Sequence, residues 1–266
     1  MFFDAPENQV FIADLRRRAE ANYGKREISP YVLHEDLVRW AKTYAPETIK
    51  PTVSSFADWV FGLSNDFVNG EAAKRRGKKA EAEIVESVLK SREQKEWWDR
   101  VQVKRKMDMA YYIGKRFSKD LWQLEYDGTA NSCVDALQIS ALKVNGQPLQ
   151  AKPDLVFRDR RSGDVLIMEL KAWNGRGKLP VFGWPNLKMQ LWCYGMIDKW
   201  RDAPSIILQS RVWRWDYDWD DENDTRGGGL IVPGLVLQPW LSTDPRVHNE
   251  CLELFKAFGG FYEGAN

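Results

Sequence analysis

Asp154, Glu169 and Lys171 are the residues of this chain whose types and spacing could carry hydrolytic chemistry. Asp154 opens the run Pro153-Asp154-Leu155-Val156-Phe157, and Glu169 and Lys171 close the run Val165-Leu166-Ile167-Met168-Glu169-Leu170-Lys171. The turn-like Arg161-Ser162-Gly163-Asp164 separates the two runs. Each run reads as an apolar strand with charge at its end. A charge at the edge of a buried strand needs a partner or a metal. Hydrolysis of a phosphodiester uses one or two divalent cations to hold the phosphate and activate a water. Magnesium takes hard oxygen ligands and keeps several waters, so two or three carboxylates suffice. Asp154 and Glu169 supply two, and the backbone carbonyl of Leu170 is a candidate third oxygen. Lys171 lies two residues past Glu169, and strand side chains alternate faces with period two, so both point to one side. An amine there can orient the attacking water or offset charge developing on phosphate.

These groups must be carried by identifiable elements. The segment 136–144 alternates apolar and polar residues, Asn145-Gly146 is a hairpin turn signal, and 147–152 reads as the return strand. A turn over 160–164 leads into a fully buried strand over 165–172. A Gly/Pro-rich loop over 174–185 precedes a helix over 186–199, and 205–215 is a further strand. Gln190 and Tyr194 are spaced i, i+4 on that helix and share a face. Gln190 could touch a phosphate or a base edge, and Tyr194 could position a nucleic-acid strand or a lysine. Upstream, 71–90 has helical periodicity, with Ile84, Val85 and Val88 on one stripe. Glu81 falls on that same stripe, which suggests an internal partner such as the metal. Lys74, Arg75, Arg76, Lys78 and Lys79 crowd the start of this helix, where positive charge opposes the macrodipole unless an anion binds. Lys152, Arg158, Arg160 and Arg161 are further candidates to meet phosphate. Ser29 and Pro30 suit the start of an earlier helix, a short helix is expected over 55–63, a last strand over 230–237 and a closing helix over 249–258.

Taken together, Gly77 with Glu81, Pro153-Asp154, Glu169-Leu170-Lys171 and Gln190 with Tyr194 resemble the PD-(D/E)xK nuclease superfamily, and more closely its RecB-like and lambda-exonuclease-like branch. The resemblance covers about half the chain, from 71 to 208. It implies an α/β (α+β) fold with a restriction-endonuclease-like core, a mixed central β-sheet flanked by helices. The organisation it implies is an N-terminal helical region over 1–70, a nuclease core over 71–210 and a C-terminal extension over 211–266. It also implies that Asp154, Glu169 and Glu81 hold Mg²⁺ or Mn²⁺, that Lys171 serves catalysis, and that Gln190 and Tyr194 form the helical substrate-binding mark of the family. The activity implied is DNA hydrolysis, in the first instance exonucleolytic, in recombination, repair, phage or defence processes. DNA stands ahead of RNA as substrate. The resemblance admits a homo-oligomer, or a protein partner such as a recombinase or single-strand-binding protein. An upstream His is common in the RecB-like group, and this chain has Glu81 there. The rival reading is a non-catalytic DNA-binding or scaffolding module in a larger assembly.

Composition bounds these readings. The 266 residues carry a net charge of +1, so any contact with nucleic acid must come from a local basic surface. The three cysteines form no CxxC pair, which argues against an iron–sulfur cluster, and they read as buried free thiols. With only two histidines, carboxylates and lysine are left to carry the chemistry. Thirteen tryptophans read mainly as packing residues, Trp173 and Trp192 among them. No apolar run reaches the roughly 18–20 residues that span a bilayer. The N-terminus does not have the basic and apolar regions of a signal peptide, and the expectation is a cytoplasmic protein without membrane contact.

Overall fold

The computed structural model describes residues 34–47, 49–64, 122–129, 135–173, 184–216, 230–232 and 240–264. Their fold is mixed α+β. Among the described residues there are four α-helices: α1 (His34–Thr43), α2 (Val53–Ser64), α3 (Pro185–Tyr194) and α4 (Pro245–Ala257). The strands are β1 (Trp122–Asp127), β2 (Leu137–Val144), β3 (Gln147–Ala151), β4 (Leu155–Asp159), β5 (Val165–Trp173), β6 (Ile206–Asp216), β7 (Leu230–Val232), β8 (Trp240–Leu241) and β9 (Gly260–Tyr262). The larger sheet has the order β1-β4-β5-β6-β7, with β8 also pairing β6; the smaller has the order β3-β2-β9. The larger sheet is mixed, because β5 and β6 run parallel while β4 and β5 are antiparallel. Among the described residues no helix is long and apolar enough to cross a membrane.

Local chemistry explains the hairpins. Asn145 and Gly146 both take positive φ, 51° and 75°, which is what a two-residue turn matched to strand twist demands. They set Val144 opposite Gln147 and start the β2–β3 ladder. In the β4–β5 turn, Gly163 has φ 79°, and the Asp159 carboxylate accepts the N–H of Arg161 at 2.7 Å. This short turn fixes the register of the two strands that carry Asp154 and Glu169.

Parallel neighbours need a crossover. Between β5 and β6 that crossover contains α3, which packs on both strands. Helix α3 runs from Pro185 to Tyr194, shorter than the 186–199 expected from sequence. At Gly195 the chain tightens, and its N–H donates to the carbonyl of Leu191 at 3.0 Å. A Cβ at Gly195 would stand 2.8 Å from Cβ of Ser242, so this passage is too narrow for a side chain. A single 3₁₀ turn, Asp198–Trp200, follows. Its Asp198 carboxylate accepts from the Ser140 backbone N–H at 3.1 Å and from the hydroxyl at 2.6 Å, tying the smaller sheet to this segment.

Behind α3 lies a helical layer. Phe56 of α2 is fully buried and meets Trp192 of α3 and Phe255 of α4 edge-on, with ring centroids 6.5 and 5.2 Å away, and Phe258 at 5.4 Å. Helix α4 begins at Pro245, four residues before the 249 expected, because Asp244 caps it by accepting the Arg246 N–H at 3.0 Å and Pro245 suits the first turn. The segment 233–237 of the last expected strand, and the expected helix over 71–90, lie outside the described residues.

Phe56→Ala should cost about 3–5 kcal/mol, the range for emptying an aromatic site in a packed core. Urea unfolding of the variant measures this; a loss under about 1 kcal/mol would mean that α2, α3 and α4 do not share one core.

Candidate active site

The register of the β4–β5 hairpin decides which groups meet. Leu155 stands opposite Met168 at the end of the ladder, which brings Asp154, the residue before it, to the part of β5 that carries Glu169. The two segments are joined there through a side chain: the Leu170 N–H donates to Oδ2 of Asp154 at 2.7 Å. Leu170 thus contributes its N–H to Asp154, beside the carbonyl that the sequence nominates as a metal ligand. Its side chain is buried on the opposite face.

Glu169 lies in the middle of its strand, a correction to the expectation that it would sit at the tip. Strand β5 continues to Trp173 because β6 pairs it along its whole length. The consequence is strong desolvation: Glu169 is only 2% exposed. Its Oε1 pairs with Nζ of Lys171 at 2.8 Å, which places both side chains on one face as the period-two argument requires. Its Oε2 is buried and has no hydrogen-bond partner among the described residues. Lys171 is partly exposed, so its ammonium stands between the buried carboxylate and solvent.

Helix α3 closes the site from above the sheet. Tyr194 is buried, and its hydroxyl donates a long bond of 3.4 Å to the carbonyl of Lys152. Burial raises its pKa well above the ordinary tyrosine value, and the adjacent Glu169 and Asp154 charges, with a side-chain hydrogen bond to the Glu169 carboxylate, raise it further. Tyr194 is therefore a neutral hydroxyl throughout the working pH range. Gln190 lies four residues earlier, about 6 Å along the axis at the usual helical rise. It is largely buried, and its Oε1 has no hydrogen-bond partner among the described residues.

Glu81 and the basic cluster from Lys74 to Lys79 lie outside the described residues. Arg158 is committed to Glu125 through its guanidinium and to the Gly163 carbonyl. Arg160 and Arg161 sit in the turn at the far end of β4 from Asp154. Lys152, exposed and two residues from Asp154, is the cation of this group that borders the site. Trp192 is core, with its indole N–H directed at Nδ1 of His248 at 3.3 Å. Cys193 and Cys251 are buried free thiols.

Two residues that sequence reasoning missed belong here. Gly128 donates its N–H to the Asp154 carbonyl at 2.8 Å, and a Cβ there would lie 2.0 Å from the Pro153 carbonyl oxygen. Its only sequence signal is a glycine after Asp127, whose carboxylate folds back onto the Thr129 N–H and hydroxyl at 3.0 and 2.6 Å. Ser210 pairs with Glu169 across the β5–β6 ladder and is fully buried. Its signal is a lone hydroxyl closing the run Ile206-Ile207-Leu208-Gln209-Ser210.

The donor set can be tested against a divalent cation. Among the described residues no group of three or more His, Cys, Asp or Glu is placed to hold a metal. The two carboxylates that do come together are hard oxygen donors, and the orphaned Oε2 of Glu169 is the kind of buried acceptor a cation would satisfy. The set fits a magnesium-like ion that keeps several waters. No family model matches the chain, and comparison with curated proteins and with solved structures finds no match either.

Removing the ammonium tests the pairing. Lys171→Met strands the Glu169 carboxylate and should cost roughly 3 kcal/mol, the low end for breaking a buried pair. Adding Glu169→Gln to that variant should recover most of the loss in urea unfolding, and no recovery would mean that the pair is not what holds Lys171. Tyr194 sets a sign at alkaline pH. A hydroxyl whose folded pKa is raised keeps its proton after the unfolded chain has lost it, near pH 10, so its stability contribution is full below that pH and falls above it. Tyr194→Phe should flatten the decline in stability above about pH 10, read by urea midpoints across the alkaline range.

Proposed function

We propose that the protein is a metal-dependent deoxyribonuclease with a restriction-endonuclease-like core, hydrolysing phosphodiester bonds at Asp154, Glu169 and Lys171. The observation that carries this reading is the gathering of two carboxylates and an ammonium along β5 beneath Tyr194, with Glu169 buried and its Oε2 unpartnered among the described residues. A desolvated carboxylate in mid-strand is costly as structure alone. The mixed sheet, with an acid-bearing hairpin followed by a crossover helix carrying Gln190 and Tyr194, is also the arrangement that the family resemblance implies.

Asp154 and Glu169 would hold Mg²⁺ or Mn²⁺, with Glu81 the further carboxylate that the resemblance supplies. A cation bound there polarises a phosphoryl oxygen and lowers the pKa of its water. The chain's own groups do the rest. The Leu170 N–H fixes the Asp154 carboxylate so that it need not reorganise. Lys171 neutralises Glu169 in the resting site and, being partly exposed, can reach toward a phosphate entering from solvent. Tyr194 offers a hydroxyl that stays protonated and donates. The amide of Gln190 can donate to phosphate oxygen through its nitrogen. Lys152 adds positive charge at the rim.

The purified chain should degrade DNA with Mg²⁺ or Mn²⁺ and stop when the metal is chelated. Asp154→Asn and Lys171→Ala should each lower the rate by about a hundredfold or more, the effect of losing one positioned electrostatic group. Parallel assays on linear, circular and single-stranded DNA and on RNA separate exonuclease from endonuclease and one nucleic acid from the other. A folded Asp154→Asn variant that cleaves at the full rate would remove the reading. A metal-dependent rise in melting temperature, lost in Asp154→Asn, is the readout that does not need activity.

A further inference from the structure

Ser210 is a polar residue with no evident employment. It is fully buried in β6, and its Oγ has no hydrogen-bond partner among the described residues. Burying a hydroxyl without a bond is unfavourable, and alanine would fill the position without that penalty. The parallel register sets Ser210 directly beside Glu169, so both side chains rise from one face on strands about 4.8 Å apart. Oε2 of Glu169 is the other orphan there. The two are complementary. An ionised carboxylate only accepts, and a serine hydroxyl donates and turns about a single torsion. Lys171 occupies the opposite oxygen, Oε1.

We propose that Ser210 is a positioning residue for Glu169: its hydroxyl donates to Oε2, directly or through one water, and holds the carboxylate when Lys171 turns toward a substrate. The inference rests on the reading of Glu169 as a cation ligand. Carboxylates that bind metal are themselves held by hydrogen bonds, and removing such a support typically weakens metal affinity tenfold or more. The hydroxyl therefore sets the aim of Glu169 without touching the phosphate.

The test compares Ser210→Thr with Ser210→Val, which differ by a hydroxyl at nearly equal volume. The wild type and Ser210→Ala give the same comparison without added bulk if the larger pair folds poorly. With metal chelated, loss of the hydroxyl should reduce the ratio of native to unfolded protein by about tenfold, as for the loss of a bond to a charged acceptor. In a Glu169→Met background the same loss should have little effect. Equal effects in both backgrounds overturn the proposal. By calorimetry, Mn²⁺ should bind Ser210→Val about tenfold more weakly than Ser210→Thr. Equal affinities also overturn it. A wild type that binds no Mn²⁺ removes the nuclease reading, and the metal-free comparison still decides whether Ser210 serves Glu169.

Discussion

A carboxylate held out of water in the middle of a β-sheet is the constraint on which the rest of this structure turns. Glu169 cannot stand there alone, since an unpaired buried charge would cost several kcal/mol. Its partner arrives by strand periodicity, because Lys171 is the next residue on the same face. Its neighbour Asp154 arrives by hairpin register, fixed by the short turn at Gly163. Its cover arrives by the crossover that parallel strands require, which lays Tyr194 over both acids. Hairpin, ladder and helix each contribute one group, so the constellation exists only in the folded chain.

The rigidity of α3 has its own support. Phe56, Trp192, Phe255 and Phe258 interlock behind it, and Asp198 ties the end of the crossover to the smaller sheet. Several tryptophans are spent on this frame. Trp40, Trp122, Trp192 and Trp200 are all buried, and the Trp200 indole N–H donates to Glu125 at 2.8 Å. Aromatic richness here reads as packing, with the indole N–H groups of Trp192 and Trp200 bonded inside.

Much of this was legible in the chain. The alternation in β2, the Asn145-Gly146 turn and the apolar runs of β4, β5 and β6 are local signals, and each marks its element to within a residue or two. Asp154, Glu169, Lys171, Gln190 and Tyr194 could be nominated because local periodicity fixes their faces. What stayed hidden depends on distant partners. Strand β1 carries a register shift between Leu124 and Tyr126 that blurs its alternation. Strand β9 is three residues long and exists by pairing with β2. Glu169 reads as a strand end until β6 is known to continue alongside. Ser210 and Gly128 become meaningful only through register and close approach, which no spacing in the sequence encodes. The Asp244-Pro245 start of α4 differs, because its capping signal is local to the sequence.

Gly128 carries one further consequence. It belongs to a turn after the strand that ends the described order of the larger sheet, yet its N–H grips the peptide of the residue that bears the first acid. Because a methyl group would already collide with the Pro153 oxygen, every other amino acid is sterically barred unless the backbone yields. A descendant that lost this glycine could keep its hydrophobic interior and its sheet, and still misdirect Asp154. The aim of an acidic side chain thus depends on a residue that has no side chain at all.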